Sequence, residues 1–273
     1  MRPRAAIVTA MDANSRMPAV FLSHGSPMLA TEDSPAGRFL DGLGDALPRP
    51  KAIVVASAHF MAATPSIGAA ALPTTVHDFG GFPAPLYQIR YPVPGDPDLA
   101  EAIAQRLADA GLAPSLHPNH GIDHGVWVPL RRMYRQADIP VVPLSVDPQR
   151  DAAYHLAVGR ALAPLRDDGV LVIGSGGFVH NLGDLDWGHK HAPMPDWAAA
   201  FVDWMCGRLD AHDLDALLDW ERQAPHSGRA HPTVEHLMPL FVALGAGEDL
   251  ANVRYLHRSH EFGSLALDAF AFD

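Results

Sequence analysis

The fold is decided by two short stretches, Pro18-Ala-Val-Phe-Leu-Ser-His24 and Lys51-Ala-Ile-Val-Val-Ala-Ser-Ala-His59. Each is a continuous apolar run that contains β-branched residues and stops at polar or turn residues, which is typical of a buried strand. Each run also ends at a histidine. The sequence therefore predicts two buried strands that each deliver one imidazole.

These two histidines suggest a shared metal site. If the strands lie side by side in a parallel sheet, both imidazoles project from its carboxyl edge, where open α/β folds bind their ligands. A simpler alternative is that His24 and His59 each end a strand and form local hydrogen bonds. A single histidine motif is only a hypothesis until its structural context is known, so the case depends on further histidines that reach the same edge.

Strand and helix patterns alternate along the rest of the chain. Residues 139–147 predict a third central strand, and residues 150–165 predict its crossover helix. Residues 169–174 predict another buried strand, and the glycine turn after it leads to His180. This turn lacks the spacing and the acidic residue of a dinucleotide-binding fingerprint. The alternation predicts an α/β fold in a single domain, with a mainly parallel central sheet, helices on both faces and a metal site at the carboxyl edge of the strands.

Other histidines are candidates for the same crevice. His117, His120 and His124 lie close together in sequence, but the prolines and glycines between them give no fixed spacing, and no cysteine completes a zinc set. We therefore expect His124 to act singly, at a helix entrance that faces the crevice. His236 precedes an apolar helix, and Pro239 indicates that this helix either begins a turn later or is bent.

The composition limits the class of partner. The chain has 273 residues, 48% of them hydrophobic, and a formal net charge of -11, which argues against nucleic acid or an anionic membrane surface and favours a small-molecule substrate. Its single cysteine, Cys206, excludes an intramolecular disulfide and a thiolate-rich metal site. With 16 histidines in the chain, imidazole and carboxylate chemistry is favoured, and hence iron, zinc or manganese.

No targeting signal is evident in the sequence. No apolar run reaches the roughly 18 residues needed to span a bilayer, and residues 1–16 lack the apolar core of a signal peptide. We expect residues 1–16 to be a disordered tail, or an upstream start added to a chain that begins at Met17, and residues 17–273 to form the domain. A cytoplasmic location is expected, and the oligomeric state is left open, with a homo-oligomer among the options.

Six motifs occur together and in order. They are His24-Gly-Ser-Pro, Ser57-Ala-His59, His77-Asp-Phe-Gly-Gly-Phe-Pro, Asp123-His124-Gly-Val-Trp, Gly174-Ser-Gly-Gly-Phe-Val-His180-Asn and Pro232-Thr-Val-Glu-His236. With these motifs the chain resembles the class III (LigB-type) extradiol ring-cleavage dioxygenases, and within them the 4,5-DOPA extradiol dioxygenase branch. The resemblance implies a single α/β domain that opens a DOPA-like catechol with O2 at a mononuclear non-haem metal. It implies Fe(II) for activity, with Zn(II) as another metal that the site can hold.

The resemblance also assigns roles to individual residues. It implies that His24, His59 and His236 bind the metal, that His180 is the catalytic base and can also serve as a ligand, and that His124 holds oxygen or a substrate hydroxyl. Three histidines differ from the two-histidine, one-carboxylate set usual for Fe(II) oxygenases and suit zinc equally well. Glu235 remains an alternative third ligand.

Two other functions fit the same motifs. A zinc-dependent hydrolase would also use three histidines and an open metal position, and it would work without oxygen. A non-enzymatic, Memo-like metal-binding relative would share the fold but use it for binding. The loop residues His77, Tyr87 and His226 are further candidates for substrate contact.

Overall fold

The computed structural model describes residues 16–248 and 250–273. The expected N-terminal tail, residues 1–16, therefore lies outside the described residues except for Arg16. The Arg16 guanidinium donates a 3.0 Å hydrogen bond to the Ala163 carbonyl and pairs with Asp167 and Glu248. Arg16 is thus in ionic contact with the body of the protein.

The strands form one large sheet and one small one. Within the described residues the strands are β1 (Ala19–Ser23), β2 (Ala52–Met61), β3 (Ser66–Gly68), β4 (Ser115–His117), β5 (Val141–Val146), β6 (Val170–Gly176), β7 (Val253–His257), β8 (His260–Glu261), β9 (Leu265–Ala266) and β10 (Ala269–Phe272). Eight strands pair in the order β4-β3-β5-β2-β6-β1-β10-β7, while β8 pairs only with β9. The central strands β5, β2, β6 and β1 are parallel, which confirms the predicted mainly parallel sheet.

Helices connect these strands. The described α-helices are α1 (Pro35–Ala46), α2 (Pro97–Asp109), α3 (His124–Met133), α4 (Ala152–Leu162), α5 (Asp196–Asp210), α6 (Leu214–Leu218), α7 (Trp220–Gln223), α8 (Ser227–Ala230) and α9 (Met238–Gly247). Short 3-10 helices lie at Pro27–Ala30, Ala84–Gln88, Ala163–Arg166 and Leu182–Asp184. Side-chain caps begin two of these helices, since Ser34 accepts from Gly37 N and Asp96 accepts from Leu99 N. Residues 222–232 contain the end of α7 and all of α8.

The sheet is buried between two layers of helices. Alternate residues of a strand point to opposite faces, and in β1 Ala19 and Phe21 pack in the core that contains residues of α2, α4, α5 and α9. Val20 and Leu22 pack in the core that contains residues of α1 and α3. Helices on both faces were predicted, and the two separate cores confirm that arrangement.

The two histidine-bearing strands are not neighbours. The strand β6 lies between them, with Leu22 opposite Ser175 on one side and Ser57 opposite the same Ser175 on the other. The two strands therefore do not lie side by side, because a third parallel strand fits between them in register. All three strands still run in one direction, so their carboxyl ends meet at the same edge of the sheet.

The C-terminal segment is part of the sheet. β7 lies at one edge of the large sheet. The apolar segment after it contains β10, which inserts between β7 and β1 and runs antiparallel to both. β1 is thereby covered on both sides, so its backbone groups are paired inside the sheet. Within the described residues no helix has the length and apolarity needed to cross a bilayer.

Candidate active site

Three imidazoles converge at the carboxyl edge of the sheet. His24 follows β1, His59 lies in β2 and His236 lies in the turn before α9. The Nε2 atoms of His24 and His59 are 3.1 Å apart, and those of His59 and His236 are 3.3 Å apart. Hydrogen bonds cannot link all three nitrogens at these distances. The three nitrogens therefore match the donor set of a metal site.

Close packing of α9 on β6 brings His236 to this edge. A Cβ on Gly174 would lie 2.0 Å from the Pro239 carbonyl oxygen, and one on Gly176 would lie 2.1 Å from the His236 carbonyl oxygen. Gly177 N also donates a 2.8 Å hydrogen bond to that His236 carbonyl. The glycine run after the strand therefore allows a close helix approach, and Pro239 occupies the first turn of α9, where a proline is tolerated.

Each of the three imidazoles has an acceptor at its opposite nitrogen. The Ser175 hydroxyl donates to the Gly125 carbonyl, so its oxygen accepts from His24 Nδ1 at 3.0 Å. His236 Nδ1 lies 2.8 Å from a Glu235 oxygen. His59 Nδ1 lies 3.3 Å from an Asp78 oxygen. Protonated Nδ1 atoms leave the three Nε2 atoms with free lone pairs, which is the tautomer a metal requires.

Asp78 was not identified as a site residue from the sequence. One oxygen accepts from the backbone N–H of His124 at 3.0 Å, and the other lies 3.0 Å from His124 Nδ1. Burial alone would raise the pKa of Asp78, but the hydrogen bonds from His124 lower it below its usual value. Asp78 therefore remains ionised between His59 and His124. The only signal for it in the sequence is its place after His77 in a glycine-rich loop.

His180 stacks on His236. Their ring centroids are 3.4 Å apart and the planes differ by 6°. The backbone N–H of His180 donates to the Ala230 carbonyl at 3.0 Å, which holds the segment after β6 against α8. His180 thus reaches the site from a third strand end, as the sequence predicted.

Burial keeps these imidazoles neutral. It is the largest cause that lowers the pKa of His24, His59, His180 and His236, and neighbouring imidazoles lower each pKa further. The pKa of His180 falls to about 4. At neutral pH all four rings are therefore uncharged and keep a lone pair, which suits metal binding. The neutral imidazoles of these four histidines have the chemistry needed to bind a metal ion.

A cavity of about 290 Å³ opens beside the cluster. His24, His59, His124 and His180 line it, together with Asp78 and a set of apolar side chains. A volume of this size is at the lower end of the range of small-molecule sites. The four histidines therefore line a space large enough for a single aromatic ring with a short substituent.

Several other candidates from the sequence lie elsewhere. His120 stacks on Phe60 with a centroid distance of 3.6 Å, so no local cluster forms in this stretch. His77 contacts the Ile89 carbonyl through Nε2, at 3.1 Å. His77, Tyr87 and His226 are absent from the described wall of the cavity. Tyr87 acts indirectly, since its hydroxyl accepts from Phe82 N at 3.2 Å.

The whole arrangement matches one family of enzymes. A family model described as the catalytic LigB subunit of aromatic ring-opening dioxygenase matches residues 18–266. This match spans most of the chain, and the protein therefore belongs to the LigB family of extradiol ring-opening dioxygenases.

Curated relatives agree with this assignment. The chain is 41% identical to a "4,5-DOPA dioxygenase extradiol" of Beta vulgaris over 257 residues, which covers 92% of this chain and 95% of the relative. It is also 41% identical to a protein with the same name from Escherichia coli K12 over 263 residues, covering 93% and 94% of the two chains. The match extends over nearly the whole of each relative, so the similarity is not confined to the metal-site motifs.

A solved structure has the same fold. The crystal structure of an uncharacterized protein from Escherichia coli K12 superposes with a TM-score of 0.78 at 34% identity, and the match covers 94% of this chain and 100% of that chain. The α/β fold with its mainly parallel sheet is therefore shared.

The family defines the class of reaction. The protein is an oxidoreductase that opens aromatic rings with dioxygen, and such an enzyme uses a bound metal and a small-molecule substrate. The comparisons do not favour the zinc hydrolase or the non-enzymatic Memo-like relative. Every group of described residues that could hold a metal ion contains at least one of His24, His59 and His236.

Proposed function

We propose that the protein cleaves a catechol, of the DOPA-like kind named for its relatives, next to its two hydroxyl groups, at a single metal ion held by His24, His59 and His236. The observation that carries this proposal is the convergence of three Nε2 atoms, two of them from histidines that line a cavity large enough for one ring. The reaction adds both atoms of O2 to the substrate and yields a ring-opened semialdehyde.

The metal is proposed to be Fe(II) for activity, with Zn(II) as another ion the site can hold. Three neutral imidazoles accept either ion. The chemistry that such an ion supplies when bound is the activation of dioxygen and of the deprotonated catechol. Glu235 is better placed to hold His236 than to bind the metal, since one of its oxygens already accepts from His236 Nδ1 and from the Thr233 hydroxyl.

His180 is proposed as the catalytic base. A catechol must lose protons before both oxygens can bind a cation, and neutral His180 can accept one at pH 7. The same residue can return the proton when the ring opens. A ring nitrogen of His180 also lies within 4.8 Å of the ligand atoms of His236 and Glu235, so His180 can serve as a further ligand as well as the base.

His124 is proposed to bind a reacting oxygen. Asp78 accepts a hydrogen bond from His124 Nδ1 and His124 lines the cavity, so Nε2 is the nitrogen left to contact a substrate oxygen. A substrate hydroxyl would donate to it directly. Together His124 and His180 place two further imidazoles beside the three converging ones.

An oxygen-uptake experiment tests the proposal. The protein is loaded anaerobically with Fe(II), then mixed with L-DOPA and a panel of other catechols while oxygen consumption and a yellow product are followed. We expect one oxygen consumed per product formed, with no uptake by the Zn(II)-loaded protein or by His24→Ala. No uptake with any catechol, despite metal bound at the histidines, would reject the proposed function.

Two further inferences concern the chain as a whole. We infer that residues 17–273 form one domain, since the eight-stranded sheet combines strands from both ends of the described chain. A cytoplasmic location remains a prediction from the sequence.

A further inference from the structure

A second cavity lies at the end of α3 that is opposite to His124. Its volume is about 410 Å³, which is within the range of small-molecule sites. The described residues that line it are Ala30, Thr31, Asp41, Arg131, Arg132 and Arg135. We call this cavity the arginine pocket. It shares no described lining residue with the cavity beside the histidines.

One of the three arginines is fixed between α3 and α1. The Nε and Nη2 atoms of Arg132 donate to the two oxygens of Asp41, at 3.2 and 2.6 Å. Its Nη1 atom donates to the Leu29 and Glu32 carbonyls, at 2.8 and 3.0 Å. Gly37 makes room for this guanidinium, since a Cβ there would lie 2.8 Å from Arg132 Cζ. Arg132 therefore already holds one carboxylate in the bidentate geometry that guanidinium groups favour.

The other two arginines keep donors to spare. Arg131 Nη1 donates to the Ala30 carbonyl at 2.7 Å, and Arg135 Nη2 donates to Asp41 at 3.0 Å. Each of these is the one hydrogen bond that the arginine donates to the described residues. Because a guanidinium has five N–H donors, the Nε–Nη2 edge of Arg131 and most of the donors of Arg135 remain available to a ligand.

The pocket is positively charged in an acidic protein. Burial alone would raise the pKa of Asp41, but the hydrogen bonds from Arg132 and Arg135 lower it below its usual value, so Asp41 is ionised. Three guanidinium groups against one carboxylate leave two positive charges in excess, whereas the whole chain has a formal net charge of -11. A local field of this sign attracts anions.

A purely structural role explains only part of this cluster. Cations are favoured in the last turn of a helix, and the contacts of Arg132 join α3 to α1 and to the segment after Ser26. Arg131 and Arg135 add little to that network, but both direct charge to the same cavity. Their free donors are therefore better explained by a ligand than by the fold.

We propose that the arginine pocket is a second ligand site, and that its ligand is a small organic dianion, either a dicarboxylate or a phosphate monoester. An oxygen pair of the ligand would accept from the Nε–Nη2 edge of Arg131, as Asp41 accepts from Arg132. Arg135 would bind the remaining acidic oxygen. Hydrogen bonds from guanidinium donors to such oxygens are about twice as strong as neutral ones. The site does not depend on the proposed catalytic function.

Equilibrium dialysis of the Zn(II)-loaded protein tests this site. Radiolabelled succinate, glycerol 3-phosphate and butyrate are compared at one ionic strength, which is held constant with sodium chloride. We expect at least one of the two dianions to bind at one site per chain, about tenfold more tightly than butyrate. The tighter dianion identifies the ligand as carboxylate or phosphate. Binding of both dianions no tighter than that of butyrate would overturn the proposal.

Substitutions of the two arginines test the location. We expect Arg131→Gln to weaken dianion binding by about tenfold. Arg135→Gln, at a more exposed position, should weaken it by about threefold. Arg222→Gln is the matched control, because Arg222 is also an exposed arginine paired with one aspartate, and it should bind as wild type does. Equal affinities in Arg131→Gln and Arg222→Gln would overturn the proposal.

Asp41→Asn gives a prediction of the opposite sign. Asparagine keeps an acceptor oxygen for Arg132 but removes the only negative charge from the described wall of the pocket. Dianion binding should therefore tighten by about threefold. If Asp41→Asn weakens binding as the arginine variants do, the pocket is a packing contact and not an anion site.

The metal at the histidines is another place where an anion can bind. His24→Ala removes one of the proposed metal ligands and lies outside the arginine pocket, so this variant should bind the dianion as wild type does. Binding that is lost in His24→Ala but retained in Arg131→Gln would place the anion at the metal and overturn the proposal.

Discussion

The partner of each Nδ1 atom decides what the opposite nitrogen of that imidazole can do. Ser175 and Glu235 accept at the Nδ1 atoms of His24 and His236, and the Asp78 carboxylate lies 3.3 Å from His59 Nδ1, so three Nε2 lone pairs meet at one place. Acceptors of this kind set the tautomer and orientation of metal-binding histidines. The chemistry of the site therefore depends as much on these acceptors as on the histidines themselves.

Replacement of His180 is the most direct test at the residue scale. His180→Phe keeps a flat ring to stack on His236 but removes the proton-accepting nitrogen, while His180→Ala removes both. We expect both variants to retain metal, measured by elemental analysis, and to lose turnover by about 10²-fold to 10⁴-fold, as is usual for a general base. A His180→Phe variant with normal kcat would eliminate the role of base. If either variant loses its metal, His180 is a ligand instead.

Asp78 is expected to act through the two histidines it contacts. Asp78→Asn removes the charge that holds the protons on His59 Nδ1 and His124 Nδ1, so metal affinity should fall by about 10-fold to 100-fold. A chelator competition assay measures that affinity. Asp138→Asn, which breaks an exposed ion pair to Arg49, is the control and should leave the affinity unchanged. Equal affinities in all three proteins would mean that Asp78 does not support the site.

At the scale of elements, the site depends on how closely α9 approaches β6. α9 is buried along its whole length. It packs over β6 at Gly174 and Gly176, where the lack of a side chain leaves room for the backbone of the helix and of the turn before it. His236 lies directly before this helix, so the position of its imidazole follows from the packing of α9 rather than from a strand end.

Gly176→Ala tests this packing. The added Cβ would lie 2.1 Å from the His236 carbonyl oxygen. Because backbone cannot move aside as a flexible side chain does, we expect a loss of about 2 kcal/mol in the free energy of unfolding. We also expect weaker metal binding. Gly207→Ala is the matched control, since a Cβ there meets nothing within 4 Å in the middle of α5. That control should gain about 0.5 to 1 kcal/mol from helix propensity. Urea unfolding of both variants would detect the difference, and two equal shifts would contradict the packing argument.

The same scale shows what could be predicted from the sequence. The strands β1, β2, β5 and β6 were visible as apolar runs because strands covered on both faces contain few polar residues. The order of these strands was not visible, since any parallel order would give the same runs. The place of β10 was also missed, because an apolar C-terminal segment can form a strand or pack as a tail with equal local preference.

The residues of the site also differ in whether the sequence could predict them. Histidines at strand ends were recognisable because parallel strands bring their carboxyl ends to one edge. Asp78 was not recognisable as their partner, since it lies in a loop whose path depends on long-range contacts. That loop is held by a bridge between Thr75 and Ile122 and by the hydrogen bond from Trp127 Nε1 to the Val76 carbonyl.

At the scale of the whole molecule, the ends of the described chain stabilise one another. β10 pairs with β1, and the buried Arg166 guanidinium donates to the Met17 carbonyl and, at 2.7 Å, to the Ala246 carbonyl. These contacts join the first strand, the last strand and α9. Because the metal-site histidines follow β1 and precede α9, global unfolding and loss of the site should occur together.

Buried neutral histidines make this global stability depend on pH. His231 is 3% exposed, donates from Nε2 to the Phe178 carbonyl at 3.1 Å, and has no partner for Nδ1 among the described residues. Burial lowers its pKa to about 4, whereas the unfolded chain has a histidine pKa of about 6.5. Between these values the unfolded state binds more protons, so stability is complete above about pH 6.5 and is lost as the pH falls towards 4.

His231→Gln isolates this contribution, because glutamine keeps an N–H for the Phe178 carbonyl but cannot be protonated. According to the linkage relation, His231 alone lowers the free energy of unfolding of wild type by about 2 kcal/mol between pH 7.5 and pH 5. The destabilisation caused by His231→Gln should therefore be smaller by that amount at pH 5 than at pH 7.5. Urea unfolding in the presence of a chelator measures this difference. The other histidines are the same in wild type and variant, so their contributions cancel. The exposed His191→Gln should show no such change, and a His231→Gln effect that is equal at both pH values would mean that His231 is not held neutral in the folded state.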